Sequence, residues 1–421
     1  MASAQDPIVA NNALGDLGLV PYYTVAGDWI TGIHLVNTSD QTQVVKFRFR
    51  RASDSMDALD FNVIMSPYDV YAGYLSDDEE GVISWQADDT TCTAPLSSSG
   101  KLEMPEIFRD GAETGYVEII AMGEADEDQP SSYYAKHVNG EPRDCEVVSE
   151  NFFADGSSTR EGVEDFETTW SSDPDEEFVD EDSDDLIDST YSDSGNAIKV
   201  SYFIRDNASG VEFGDNAVHI QNFQTVATMT NQQFGILSGD LDGFDFPDLD
   251  GGSPMEASSR GRYNLIRDGG VLGVDKIVNE WTANEANGAA LDWVVTLPGQ
   301  YTQLHLPGYI AANFGPLAPA VDCVRPTDPT GILPSAITPA DLAGASAEDP
   351  LAVICDYRDI PVTADIDAWN REEFAGEDPD ESLVVSPAPP GSTPSVILDK
   401  EVNIVTFGGN SVLGVSGTDV S

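Results

Sequence analysis

Strand-forming patterns of apolar and polar residues dominate the readable stretches of this chain. Val44-Val45-Lys46-Phe47-Arg48-Phe49-Arg50 is the clearest case, with hydrophobic and basic residues alternating at the period of two that marks a half-buried strand. Residues 29–36 form a second strand pattern, closed by the turn-forming Asn37-Thr38-Ser39-Asp40, and residues 59–65 a third, closed by Ser66-Pro67. Further strands are expected at 70–75, 81–87, 116–121, 198–204, 217–224, 291–298 and 402–407. Helix signals are few: Thr338-Pro339 can cap and open a short helix to residue 345, and 366–374 allows another. Short strands separated by Gly, Pro, Asn and Asp breaks predict an all-β protein of two antiparallel β-sandwich, immunoglobulin-like domains. Long acidic and Pro/Gly-rich loops would join their strands.

The pattern breaks between residues 164 and 188, where thirteen of 25 residues are Asp or Glu and none is basic. Such a block cannot offset its ordering entropy by apolar burial and reads as a loop or linker. The expected division is therefore an N-terminal sandwich over 1–163, an acidic linker over 164–196 and a C-terminal sandwich over 197–421.

Charge changes the picture next. Across 421 residues, 75 acidic side chains face 19 basic ones, a formal net charge of −56. Phosphate recognition needs clustered Lys and Arg, so nucleic acid is excluded as a main partner. Two carboxylates 4 Å apart repel by about 1 kcal/mol in water and about 4 kcal/mol at an effective dielectric near 20. Salt or divalent cations are thus expected around the working protein. No run of about 18 apolar residues exists, so no helix-type membrane span is expected.

Calcium is the expected cation. Asp240, Asp242, Asp245, Asp248 and Asp250 fall in a short stretch with Gly239, Gly243, Gly251 and Gly252. Calcium takes six to eight hard oxygens at roughly 2.3–2.6 Å from a bendable loop. The stretch departs from the EF-hand pattern, since Asp245 stands where Gly is required and Gly251 where Glu is; a solvated acidic loop is the alternative. Asp180, Asp182 and Asp184 form a further candidate set. Lys46, Arg48 and Arg50 share one strand face. They could dock an acidic block from a second copy, or form an ionic sheet face within one chain.

Cys92, Cys145, Cys323 and Cys355 contain no C-x-x-C pair and only four histidines accompany them, which argues against zinc. An even number, two in each half, fits local disulfides Cys92–Cys145 and Cys323–Cys355 in an oxidising compartment. Three pairings are open, locality alone selects this one, and four free thiols are the alternative. A charged start with an apolar signal core is missing, although Ala2-Ser3-Ala4 has the small-x-small form found before a signal cleavage point. No nucleophile elbow, P-loop, H-E-x-x-H or G-x-G-x-x-G occurs. Catalysis is not expected. Trp29, Trp85, Trp281 and Trp293 could line a sugar platform, with core packing as the commoner use, and His34 reads as a sheet-surface residue.

Several phrases in order along the chain carry a resemblance. They are Leu19-Val20-Pro21-Tyr22-Tyr23-Thr24, Ile33-His34-Leu35-Val36-Asn37-Thr38, Val45-Lys46-Phe47-Arg48-Phe49-Arg50 and Leu59-Asp60-Phe61-Asn62-Val63-Ile64-Met65-Ser66-Pro67. Asn279-Glu280-Trp281, Asp292-Trp293-Val294-Val295-Thr296-Leu297-Pro298, Glu401-Val402-Asn403-Ile404-Val405-Thr406-Phe407 and Asn410-Ser411-Val412-Leu413-Gly414 continue it. Together they resemble a family of exported, largely uncharacterised cell-surface proteins of proteobacteria, some of them similar to marine surface-layer proteins. The resemblance implies secretion to the cell surface, cysteines in like places that support the two local disulfides, and no catalytic residues. It makes copies of itself the main partner, and the outer-membrane surface or lipopolysaccharide the anchor. The expected function is a self-assembling extracellular lattice or filament stabilised by calcium. A monomeric adhesin or carbohydrate-binding module is the alternative.

Overall fold

The computed structural model describes residues 6–53, 55, 57–78, 80–96, 100–127, 129–151, 168–171, 186–189, 191–225, 227, 249, 290–299, 362–365, 395–398, 400–407, 411–414 and 418–420. The first strands are β1 (Ile8–Val9), β2 (Leu17–Thr24), β3 (Trp29–Asn37), β4 (Thr42–Arg51), β5 (Asp57–Met65) and β6 (Val70–Asp77). They are followed by β7 (Ile83–Gln86), β8 (Cys92–Ala94), β9 (Lys101–Glu103) and β10 (Thr114–Ala125). Next come α1 (Pro130–Ala135), β11 (His137–Val138), β12 (Glu141–Pro142), α2 (Cys145–Asn151), β13 (Thr168–Ser171) and β14 (Leu186–Ser189). The remaining strands are β15 (Ile198–Asp206), β16 (Glu212–Asn216), β17 (Val218–Gln221), β18 (Leu291–Thr296), β19 (Val362–Asp365), β20 (Ser395–Leu398), β21 (Val402–Phe407) and β22 (Thr418–Val420).

The all-β expectation holds. A seven-stranded sheet, β1-β17-β2-β10-β4-β5-β8, faces a six-stranded sheet, β16-β15-β3-β6-β7-β9, and every pairing in both is antiparallel. Their facing sides share one core, to which β4, β5 and β10 contribute Phe47, Phe49, Phe61 and Ile119, and β3, β6, β7 and β15 contribute Leu35, Tyr71, Trp85 and Val200. Trp85 stands at the centre, 5.7–6.0 Å from the rings of Phe47, Phe49 and Phe61, and its indole N–H donates to the Tyr71 hydroxyl at 2.8 Å. That bond is what permits a polar nitrogen at full burial.

Three sequence expectations change. First, β4 is buried on both faces and not half-buried, and β5 beside it is buried along its whole length. Their outer face is covered at one end by α1 and α2, through Tyr134, Ala135 and Val148, and around Tyr116 by Val402 and Leu413. Second, the expected linker does not separate two sets of sheets: β15 pairs with β3 along nine positions and β17 pairs with β2. Backbone groups left unpaired at the β2 and β3 edges find their partners only beyond residue 196. Third, the acidic block is not wholly a loop, since β13 and β14 pair antiparallel within 164–196. The helices α1 and α2 are too short to announce themselves by period. The helices expected at 338–345 and 366–374 lie outside the described residues.

Candidate functional site

Alternation puts Lys46, Arg48 and Arg50 on the face of β4 opposite Phe47 and Phe49, as the sequence pattern requires. The neighbouring strands answer them with opposite charge. Register sets Asp60 of β5 and Glu118 of β10 on either side of Arg48, and Asp57 and Tyr116 on either side of Arg50. The Arg48 Nε and an Nη both donate to one Asp57 oxygen, at 2.8 and 2.6 Å. The Arg50 Nε lies 3.0 Å from Glu118 Oε1, and another Arg50 nitrogen donates to the Ser55 carbonyl at 3.0 Å. Lys46 Nζ is 3.7 Å from Asp60. All six charged side chains are 0 % exposed.

Burial lifts the Glu118 carboxyl above its ordinary range, against the pull of Arg50 and Arg48. The Tyr116 phenol is raised well above its own, by burial and then by Glu118 and Glu401. The ladder clamps three adjacent strands, and as a covered group it offers nothing for a partner to touch. The expected intersubunit contact through Lys46, Arg48 and Arg50 is therefore corrected: their charges meet Asp57, Asp60 and Glu118 of the same chain.

A surface cavity of about 480 Å³ opens beside the disulfide. Trp85 and Tyr71 form part of its floor, Asp89, Thr91 and Thr93 one wall, and the β12–α2 segment with Glu141 and Asp144 another. Cys145 in that wall is bonded to Cys92 of β8. Gly100 has φ +68°, and a Cβ there would sit 2.3 Å from the Ala87 carbonyl, so only glycine fits at this rim.

Next to the cavity, the imidazole of His137 bridges two loops. Its Nδ1 is 3.0 Å from the Ser66 hydroxyl and 3.7 Å from Asp69, and its Nε2 is 3.2 Å from the Thr90 hydroxyl. The Asp69 carboxyl is raised by burial, with His137 opposing, and it also accepts the Thr91 hydroxyl at 3.2 Å. Hydroxyl, imidazole and carboxylate meet here, but Ser66 and Asp69 crowd the same ring nitrogen. In a hydrolytic triad the nucleophile and the carboxylate take opposite nitrogens, which Ser66 and Asp69 do not. The Thr90 hydroxyl does stand at the opposite nitrogen, where it is also placed to donate to the Gly140 carbonyl at 3.4 Å. The cluster ties the 66–69 turn to the β11–β12 hairpin.

Asp16 supplies a pH-dependent element. It is 1 % exposed, accepts the backbone N–H groups of Phe223 and Gln224 at 2.9 and 2.8 Å, and burial pushes its carboxyl up to about 6. A raised folded-state value means that the folded chain holds this proton more tightly than the unfolded chain. Its contribution is complete below about pH 4 and is lost as pH rises through about 6. The shift corresponds to about 3 kcal/mol. Urea denaturation of the wild type at pH 4, 5, 6 and 7 should show stability falling with pH. Asp16→Asn should flatten the curve over that window, and an unchanged slope would assign it to other groups.

Asp240, Asp242, Asp245, Asp248 and Asp250, and likewise Asp180, Asp182 and Asp184, lie outside the described residues, as do Cys323, Cys355 and Trp281. Among the described residues no group of three or more His, Cys, Asp or Glu side chains is arranged to hold a metal ion. The Cys92–Cys145 bond is present as expected. His34 is exposed on β3, whereas Trp29 and Trp85 are core residues. Sequence reading missed Asp57, Asp60 and Glu118. The available signal was Asp60-x-Asn62 and Glu118 set in otherwise apolar strands, with the same period as the basic residues. Comparisons with protein-family models, with curated proteins and with solved structures return no match.

Proposed function

We propose that this is a secreted structural protein of the cell surface that self-associates through sheet edges into an extracellular lattice or filament. The observation that carries the reading is the exposed edge at β16. This strand ends the six-stranded sheet among the described strands, all five of its residues are exposed, and Phe213 is 40 % accessible. A solvent-facing edge of this kind, with an aromatic on it, is a template for a strand from another copy. β1 ends the other sheet, with Ile8 and Val9 also exposed. The disulfide supports an oxidising compartment.

In this reading the two face-packed sheets are one immunoglobulin-like sandwich, and the strands from β18 onward belong to a second. Copies bearing −56 each repel unless cations lie between them. Calcium held by the Asp240–Asp250 and Asp180–Asp184 carboxylates supplies that neutralisation, and the outer-membrane surface or lipopolysaccharide is the anchor.

Sedimentation velocity and negative-stain microscopy test the proposal. Purified protein in low salt with millimolar calcium should form large ordered species that EDTA returns to monomers. Phe213→Lys, which places a cation on the β16 edge, should block assembly while leaving the circular dichroism spectrum unchanged. A protein that stays monomeric with calcium at every concentration, or assemblies indifferent to EDTA and to Phe213→Lys, would overturn it.

A further inference from the structure

We propose that the cavity beside the disulfide binds a short neutral saccharide. The inference is independent of self-association, because it rests on what the cavity walls can accept and donate.

The wall presents lone pairs. Asp89 is fixed by the backbone N–H groups of Thr91 and Ala72, at 2.9 and 3.2 Å, and each of its oxygens has capacity for a further donor. The Thr91 hydroxyl proton is directed to Asp69 and the Thr93 hydroxyl proton to the Pro95 carbonyl, so both oxygens act toward the cavity as acceptors. Asp144 caps the start of α2 through Oδ1 alone, accepting the Glu146 and Val147 N–H groups. Glu141 stands exposed at the rim. The guanidinium that also borders the cavity, Arg143, lies over the Tyr133 ring at 3.8 Å and donates to the Tyr133 carbonyl.

A ligand for such a wall must bring many hydrogen-bond donors and no negative charge. Anions meet three carboxylates against one engaged guanidinium, on a chain already at −56. A compact ammonium would have to shed its water against the accessible apolar part of the lining, Ala87, Leu96 and Pro142, at a desolvation cost. A sugar ring satisfies both surfaces: hydroxyl donors reach the carboxylates and threonines, and C–H faces lie on the apolar floor. About 480 Å³ falls within the range of about 300–1,000 Å³ usual for small-molecule sites. The Cys92–Cys145 bond fixes the α2 wall to β8 before any ligand arrives, which lowers the cost of binding.

Saturation-transfer NMR on the full chain tests this, with methyl glucoside, methyl galactoside, N-acetylglucosamine and cellobiose as probes and lysine amide and inorganic phosphate as charged comparators. At least one neutral sugar should give saturable transfer that neither comparator displaces. Leu96→Trp, a substitution at an exposed position of the lining, should fill the opening and weaken binding by about tenfold or more. Glu141→Gln should weaken it severalfold, and Val412→Ser, exposed and not part of the lining, should leave it unchanged. Thermal melts of each variant separate loss of binding from loss of fold. Failure of every sugar to saturate, displacement by lysine amide or phosphate, or binding untouched by Leu96→Trp in a folded variant would each overturn the assignment.

Discussion

Replacing Arg48 by methionine should lower the unfolding free energy by about 3–5 kcal/mol, a large share of what holds a domain of this size together. The reason is less the loss of the Arg48–Asp57 attraction than what remains. Asp57 is 0 % exposed, and its Oδ2 receives two N–H groups from Arg48. Without them a carboxylate stays desolvated with its main counter-charge removed. The nearby Asp60, 3.9 Å from the same guanidinium, and Glu118, directly across the strand pair, lose a neighbour too. Urea denaturation read by tryptophan fluorescence measures the loss. The double variant Arg48→Met with Asp57→Leu should recover a substantial part of it, because an apolar pair of similar volume carries no stranded charge. If the double variant is no better than Arg48→Met alone, the cost comes from packing and not from the uncompensated carboxylate. A lysine at position 48 should recover little, since a point charge cannot deliver two N–H groups to one oxygen with the same geometry.

Removing the Cys92–Cys145 disulfide, as Cys92→Ser with Cys145→Ser, should cost about 2–5 kcal/mol. The bonded residues are 53 apart in sequence, and closing a loop of that length in the unfolded chain corresponds to about 4 kcal/mol in the chain-entropy account. The local consequence is as informative as the total. β8 is a three-residue edge strand paired only to β5 among the described strands, and α2 is seven residues long. Neither is long enough to hold its place by backbone bonding alone. Loss of the bond should free both and expose Val44 and Ile64 beneath them, so hydrogen exchange should quicken at α2 and β8 before it does in the β3–β15 pair. Uniform quickening throughout the chain would place the effect entirely in the unfolded state.

How far the sequence shows this structure can be judged at particular strands. β4 is legible because its alternation runs unbroken from Val45 to Arg50, β3, β10 and β21 because they are runs rich in apolar and β-branched residues, and β18 because its run of apolar residues ends at Pro298. β2 is not, because Pro21 falls in its middle and proline removes a ladder donor. The structure accommodates it at a bulge: between Gly115–Tyr23 and Val117–Val20 the β2–β10 register slips by one residue, and Pro21 sits in the slip. The charged face of β4 was visible as a pattern, yet whether its partners lay in this chain or in another depended on which strands stand beside it. Arg48 meets Glu118 across 70 positions of sequence, and no local signal reports a pairing that distant. The cavity was hidden for the same reason, assembled from a sheet edge, a hairpin and a helix start that only the disulfide and the fold bring together.

The pairing of β15 with β3 and of β17 with β2 also sets a timetable. As the chain leaves the ribosome, both sheets stay open along one side until residues near 221 have emerged. More than half of the molecule must therefore wait in a state with exposed strand borders, where mispairing competes with folding. In that interval the open borders of β2 and β3 are where a wrong strand competes with β15 and β17.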